Sequence, residues 1–240
     1  MWQVNVLTLF PEIYPGPMKY SIHGKSSKAK LWNINVKNIR DFAFDKYKSV
    51  DSPPYGGGGG MILRADVLGE AIENFFFPNR FPIIYMSPKG RLFNQKMAKD
   101  FIQSADGINI LCGRFEGIDE RVIKEYKISE VSIGDYVLSS GDIASLVFMD
   151  CCLRLLPGYL GNEKSLEEES FGDGYYKSLL EYPHYTKPVM WKSNEVPKVL
   201  ISGNHSRISE WRLNKAKEET KNKRPDLWNK YLSGVKNELS

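Results

Sequence analysis

Apolar positions along the chain recur in two patterns. Residues 4–10 (VNVLTLF) form a short β-rich run closed by Pro11, and residues 31–36 (LWNINV) alternate apolar and polar positions, so both predict strands. Residues 66–77 open on Asp66 as an N-cap candidate, carry apolar residues at helical spacing and stop before Pro78, which predicts a helix. Three further apolar runs, 82–86 (PIIYM), 108–112 (INILC) and 130–133 (EVSI), predict strands, with helical segments at 95–104 and 118–126 between them. Strands alternating with helices imply parallel βαβ units and an α/β fold.

Residues 143–156 read as a buried helix that ends at Pro157-Gly158. The run carries Asp150 and Arg154 and is too short and too charged to span a bilayer, so no membrane partner is expected. Residues 161–175 (GNEKSLEEESFGDGY) are acidic and nearly free of aliphatics, which predicts a linker. From residue 176 strand signals are few and helices are predicted at 205–221 and 225–232. The division that follows is an α/β domain over 1–160, the linker over 161–175 and a small helical C-terminal domain over 176–240.

A chain of 240 residues buries about 70 to 75% of its unfolded surface, so stability requires neither disulfides nor metal clips. Hydrophobic residues at 42% and charged residues at 26% exclude disordered, collagen-like and disulfide-scaffold chains. The three cysteines, Cys112, Cys151 and Cys152, are odd in number and two are adjacent, which fits a reduced, cytoplasmic setting. No basic region precedes the first apolar segment, so no signal peptide is expected.

Charge adds a partner class. Residues 1–48 hold eight Lys/Arg against three Asp/Glu, and residues 198–230 hold nine against four, a net of +5 in each. Residues 163–173 between them hold five acids and one lysine, a net of −4. Two basic surfaces beside a carboxylate-bearing segment suit a polyanion, the alternative being solvated helix faces.

Familiar nucleotide signatures are absent. Gly24-Lys25-Ser26 looks like the tail of a P-loop, but Lys19 stands where that motif needs its first glycine. No G-x-G-x-x-G follows a predicted strand, no G-x-S-x-G is present, and the three histidines show no metal spacing. What remains is three glycine-bearing loops after predicted strands, at 86–90, 112–117 and 134–141. Ligands of open α/β sheets bind outside the carboxyl ends of strands, so one pocket can be built from all three, with Tyr136 and Leu138 lining a purine slot, the alternative being three ordinary turns. Pro53-Pro54-Tyr55 before five glycines must be a loop, either a flexible linker or, with stiff Pro-Pro-Tyr before it and apolar Met61-Ile62-Leu63 after it, one anchored near a ligand or nucleic acid. In the tail, Arg207, Trp211, Arg212, Lys215 and Lys217 interleave basic residues with an aromatic, a pattern for phosphate contact and base stacking, although Trp211 also suits a core anchor.

YGGGGGM at 55–61, YMSPKG at 85–90, CGRFEGIDERV at 112–122, SIGDYVLSSGD at 132–142, RLLPG at 154–158, YPHYTKP at 182–188 and SGNHSRISEWR at 202–212 stand in the order and spacing of bacterial tRNA (guanine-N1)-methyltransferases of the TrmD type. The chain resembles that family over almost its whole length. The resemblance implies a SPOUT-class α/β domain with a deep trefoil knot, an exception to unknotted topology. It also implies S-adenosylmethionine as cofactor, Mg²⁺ as a further candidate, tRNA as substrate, and a homodimer whose active sites are shared between subunits. The carried-over cofactor positions are Tyr85, Met86, Ser87 and Pro88, then Cys112, Gly113, Phe115 and Glu116, then Ser132, Ile133, Gly134, Asp135, Tyr136, Val137, Leu138 and Gly141. RNA contacts are expected from Tyr55, Gly58, Gly59, Ser170, His205, Arg207, Arg212 and Lys215, with no protein metal site.

In this family the target is the guanosine immediately 3′ of the anticodon. N1 of guanine carries a proton that neutral water does not remove, so a positioned carboxylate must take it. Charge then spreads towards O6, where a cation is required. Arg154 matches the family's arginine for that role, and Glu169 falls where the family has an aspartate base. Its extra methylene lengthens the reach by about 1.5 Å, so Glu167 and Glu168 are alternative bases. Gly59, Ser140 and Asp142 also depart from the usual proline, glycine and glutamate. The competing readings are another SPOUT RNA methyltransferase and a catalytically impaired RNA-binding homologue.

Overall fold

The computed structural model describes residues 1–161, 169–172 and 176–238. The chain divides into two compact units, Met1–Gly161 and Asn162–Ser240. Glu167 and Glu168, with most of the predicted linker, lie outside the described residues.

The first unit is an α/β layer structure around a five-stranded parallel sheet in the order β2-β1-β6-β5-β7. Its strands are β1 (Trp2–Thr8), β2 (Trp32–Asn38), β5 (Ile83–Leu92), β6 (Gly107–Leu111) and β7 (Ser129–Ser132). A separate antiparallel pair, β3 (Asp51–Ser52) and β4 (Ile62–Leu63), forms the stem of the glycine loop. The helices are α1 (Ser21–Lys28), α2 (Ala65–Ala71), α3 (Gln95–Ser104), α4 (Glu120–Glu125) and α5 (Gly141–Leu153).

Strand alternation sorts side chains to the two faces. Val4, Val6, Ile84, Ile108 and Ile110 enter one core with Ala98 of α3 and Phe148 and Met149 of α5. Leu7, Tyr85 and Leu111 enter the other with Val67 and Leu68 of α2 and Val122 of α4. Burial on both faces explains the continuous apolar runs, and a fully buried side chain such as Phe148 contributes about 1.5–3 kcal/mol. Asn5 and Asn109 are buried polar residues within these runs, and the Asn5 amide is hydrogen-bonded at both ends. It donates to Asn109 Oδ1 at 2.8 Å and accepts from Asn35 Nδ2 at 3.0 Å, so burial leaves it satisfied.

Helix α5 is apolar on nearly every face, and its side away from the core leaves Ile143 54% and Val147 43% exposed. The second unit has a smaller core of Leu179, Tyr182 and Ala216, joined by Trp211 and Trp228. The long helices His205–Lys223 and Pro225–Glu238 lie where helices were expected and run further, Asn204 capping the first by accepting from the Arg207 amide at 3.1 Å.

Several local expectations need correction. Asp66 is not the cap of α2: the helix begins one residue earlier, and Asp66 sits in its first turn bonded to the Arg64 guanidinium. That helix runs through a π turn at Ile72–Phe76 and a 3-10 turn at Phe77–Asn79, and so includes Pro78 before Arg80 adopts a left-handed φ of 52°. Gly24-Lys25-Ser26 lies inside α1, an unexpected helix with little apolar patterning. A two-residue hairpin, Met190–Trp191 with Asn194–Glu195, is too short to show periodicity.

Candidate active site

The run at 86–90 is not a simple loop after a strand, because β5 continues to Leu92. Met86 and Arg91 both pair with Val131, so the four residues between them leave the ladder and project at the sheet's carboxyl end. They meet the loops after β6 and β7 in one open pocket.

Its walls include Tyr85, Met86, Ser87, Pro88, Gly113, Phe115, Glu116, Ser132, Ile133, Gly134, Tyr136, Val137, Leu138 and Gly141. Cys112 and Asp135 stand outside this lining; Cys112 is buried beneath it. Arg114, inside the 112–117 loop expected to form the pocket but not singled out among the cofactor positions, also lines it. Its guanidinium donates to the Ser139 carbonyl at 2.7 Å and lies 5.3 Å from the Phe10 ring centre, latching two loops together. A cation inside the CGRFEG segment was the available signal.

The glycines are required by close packing. A Cβ on Gly113 falls 2.6 Å from the Tyr85 ring, and one on Gly134, whose φ is +150°, falls against the Tyr136 ring. Aromatic walls, rather than empty space reserved for ligand, therefore occupy the room beside these glycines. A Cβ on Gly141 would fall 3.1 Å from the Gly113 nitrogen and 3.2 Å from Cys112 Cα, and the Gly141 amide donates to the Gly113 carbonyl at 3.0 Å. The result is a groove of backbone groups beside Tyr136 and Leu138, a fit for an adenosine-bearing ligand. Ser140 keeps this geometry: its Oγ accepts from the Asp142 amide at 3.3 Å as the N-cap of α5.

A buried polar knot supports the floor. Asp142 Oδ1 accepts from Thr8 Oγ1 at 2.6 Å and from the Tyr14 hydroxyl at 3.2 Å. The same hydroxyl lies 3.1 Å from Cys112 Sγ and 2.5 Å from Ser145 Oγ. Burial, then the Asp142 charge, pushes the Cys112 thiol up to about 12. Burial also raises the Tyr14 hydroxyl, reinforced by Cys112 and Asp142, so both stay protonated.

Arg154 is the C-cap of α5, where a cation suits the helix dipole. Nearby His23 contacts Tyr159 and places its Nε2 3.2 Å from Asp150 Oδ1. Tyr55, Gly58 and Gly59 project from the glycine loop between β3 and β4, Tyr55 being 98% exposed.

In the second unit Glu169 opens a turn in which its carbonyl accepts the Gly172 amide at 2.9 Å. Ser170 Oγ accepts the Glu181 amide at 2.9 Å, and the Phe171 amide donates to the Leu179 carbonyl at 3.1 Å. Glu169 is thus hung on the segment that forms the small core. His205 and Arg207 are exposed, Arg212 lies over the Tyr182 ring at 4.8 Å, and Lys215 is held by Glu218 at 2.6 Å. Among the described residues no cluster of three or more His, Cys, Asp or Glu suits a metal ion. No helix of those residues is long and apolar enough to cross a membrane.

The fold and pocket define a class: α/β proteins with an open pocket built from loops at the carboxyl ends of parallel strands. Residues 2–230 match the family described as tRNA (Guanine-1)-methyltransferase TrmD. A tRNA (guanine-N(1)-)-methyltransferase of Roseobacter denitrificans is 49% identical over 230 residues, covering 95% of this chain and 93% of that protein. Proteins of the same name from Wolbachia pipientis wMel and Pelagibacter ubique are 48% and 47% identical, covering 99% and 96% of this chain and 98% and 99% of their own lengths. The chain belongs to the tRNA (guanine-1)-methyltransferase family and is a methyltransferase.

Proposed function

We propose that the protein transfers a methyl group from S-adenosylmethionine to N1 of the guanosine immediately 3′ of the anticodon in tRNA. The observation that carries the cofactor assignment is the groove in which the backbones of Gly113, Gly134 and Gly141 stand beside Tyr136 and Leu138. When bound, the cofactor supplies an activated methyl group on a sulfonium. The chain's own residues supply the rest. Glu169 accepts the N1 proton, Arg154 offsets the charge that develops on O6, and Tyr136 and Leu138 hold the adenine end.

The two proposed catalytic residues belong to different units, Arg154 to the first and Glu169 to the second. A homodimer in which one subunit's groove meets the other's second unit brings such groups together. Supporting it is the apolar stripe of Ile143 and Val147 left open on α5, the helix that starts at the groove and ends at Arg154. The expected trefoil knot belongs to the loops that form this groove. The basic residues of the second unit, with Tyr55, Gly58 and Gly59, make the tRNA contacts, in the cytoplasm where tRNA resides.

The test is transfer of labelled methyl from S-adenosylmethionine to tRNA transcripts, followed by mapping of the modified nucleotide. Label at N1 of that guanosine, lost when it is replaced by adenosine, is the expected result. Label on a ribose 2′-hydroxyl sinks the assignment. Adding EDTA to the same assay reads whether Mg²⁺ is required.

A further inference from the structure

The second unit contains a cavity of about 290 Å³ that the proposed chemistry does not use. Its walls are aromatic and cationic: Tyr182, His184, Tyr185, His205, Trp211 and Arg212. The rings are organised. His184 lies 4.9 Å from the Tyr182 ring centre, and Tyr185 meets Trp211 edge-on at 6.1 Å. The Arg212 guanidinium covers Tyr182, which is buried, while Tyr185 remains 50% exposed at the mouth.

Several rings with a guanidinium and the exposed His205 imidazole match the needs of an unstacked nucleobase, flat faces to stack on and donors for its edge or phosphate, while His184, its Nε2 held by Glu181 Oε1 at 2.9 Å, serves as a ring wall. The volume lies just below the roughly 300–1,000 Å³ of pockets for whole drug-sized ligands, which suits a single base. The net +5 over residues 198–230 favours a nucleic acid strand over a neutral metabolite.

The cavity is also tied to Glu169. The Glu181 amide, next to Tyr182 in the chain, donates to Ser170 Oγ, next to Glu169. The neighbouring Leu180 amide donates to Thr220 Oγ1 at 2.8 Å, and that hydroxyl donates to the Ala216 carbonyl at 2.7 Å on the helix carrying Trp211 and Arg212. One short segment therefore forms a wall of the cavity and anchors the turn of the proposed base.

We propose that this cavity takes one unstacked nucleotide of the tRNA loop that carries the target guanosine, and that holding it sets the target strand beside Glu169. This rests on the tRNA reading above. The test is Tyr185→Ala, with Tyr185→Phe as the conservative partner and His205→Ala as a second variant at an exposed wall position. Each is measured for S-adenosylmethionine affinity and for binding of anticodon stem-loops carrying one abasic nucleotide at a time.

Tyr185→Ala is expected to raise the Kd for the intact stem-loop about tenfold, the order of one lost base–aromatic stack, while Tyr185→Phe stays near the parent. Cofactor affinity should not change. One abasic position should weaken the parent but cost Tyr185→Ala nothing further, which identifies the nucleotide. Parent-like stem-loop binding by both Tyr185→Ala and His205→Ala overturns the proposal, as does an abasic scan whose penalties are the same in Tyr185→Ala and parent. If the parent itself neither binds nor methylates any tRNA, the underlying tRNA reading has failed instead.

Discussion

The Gly141 amide donates to the Gly113 carbonyl across 3.0 Å, which joins the first turn of α5 to the loop after β6 as one backbone unit. The residues beside this bond, Cys112 and Asp142, both meet the Tyr14 hydroxyl below. A segment remote in sequence therefore locks the groove floor from underneath.

The first prediction follows from the room beside Gly113. Gly113→Ala puts a methyl group 2.6 Å from the Tyr85 ring, and that ring is itself packed in the second core. The ring or the loop must shift. The expected result is a stability loss of about 1–3 kcal/mol with weakened cofactor binding, read by denaturant unfolding and calorimetry. Parent-like affinity would show that the loop relaxes freely and that the groove is not pre-formed.

Tyr14→Phe removes the hydroxyl shared by Asp142, Cys112 and Ser145 while keeping the ring. A buried carboxylate then loses one of two hydroxyl donors, Thr8 being the other. A cost of about 1–3 kcal/mol is expected in urea unfolding, without change in the denaturant slope. No measurable loss would mean that the Thr8 hydroxyl satisfies Asp142 without Tyr14.

Alkaline pH should expose the same knot. The Cys112 thiol is raised from 9.0 to about 12, chiefly by burial. A folded value above the unfolded one means that the native state binds the extra proton. Its stabilising effect is complete below pH 9 and is lost as pH rises towards about 12, with a slope of at most ~1.4 kcal/mol per pH unit. Tyr85, also pushed up to about 12 by burial, acts in the same direction. Melting temperatures between pH 8.5 and 11 should fall more steeply for the parent than for Cys112→Ala. Parallel curves would show that the thiol does not govern this limb.

The sheet was readable in the sequence because its inner strands β1 and β6 are buried on both faces and read as apolar runs, while the edge strand β2, half exposed, reads as an alternation. Their ends were less visible. Main-chain pairing carries β5 on through the projecting residues, and nothing in SPKG signals that the chain returns to the ladder. The groove was legible because glycines cluster after strands, whereas Tyr14, the hinge of its floor, was not. A tyrosine between prolines reads as a loop residue until the fold places its hydroxyl beside residues about 98 and 128 positions away. Helix α1 was missed because its few apolar residues give no period.

If the active sites are shared, inactive subunits should complement one another. Arg154→Ala and Glu169→Gln homodimers are each expected to be inactive. Unfolding and re-annealing a mixture should restore up to about a quarter of parent activity, since half the dimers are mixed and each holds one intact site. Val147→Glu, which charges the open stripe on α5, should instead dissociate the dimer in analytical ultracentrifugation. Heterodimers that form without activity would place both residues in a site made by one chain.

Glu169 itself gives the last prediction. Glu169→Gln keeps size and hydrogen-bonding shape but removes the basic carboxylate, so cofactor and tRNA binding should persist while methyl transfer falls by about 10² to 10⁴-fold. Glu169→Asp should retain far more activity, because it keeps the carboxylate and shortens its reach by one methylene. Raising the pH should partly rescue Glu169→Gln, since guanine deprotonated at N1 becomes commoner without help. The turn geometry supports this assignment: Ser170 and Phe171, on the C-terminal side of Glu169, are hydrogen-bonded to Glu181 and Leu179, which fixes the backbone from which its side chain springs. Glu167 and Glu168, outside the described residues, are the competing bases. Single-turnover rates for the three separate Glu→Gln variants decide between them. A parent rate for Glu169→Gln, with transfer lost in one of the other two, moves the base one or two residues earlier.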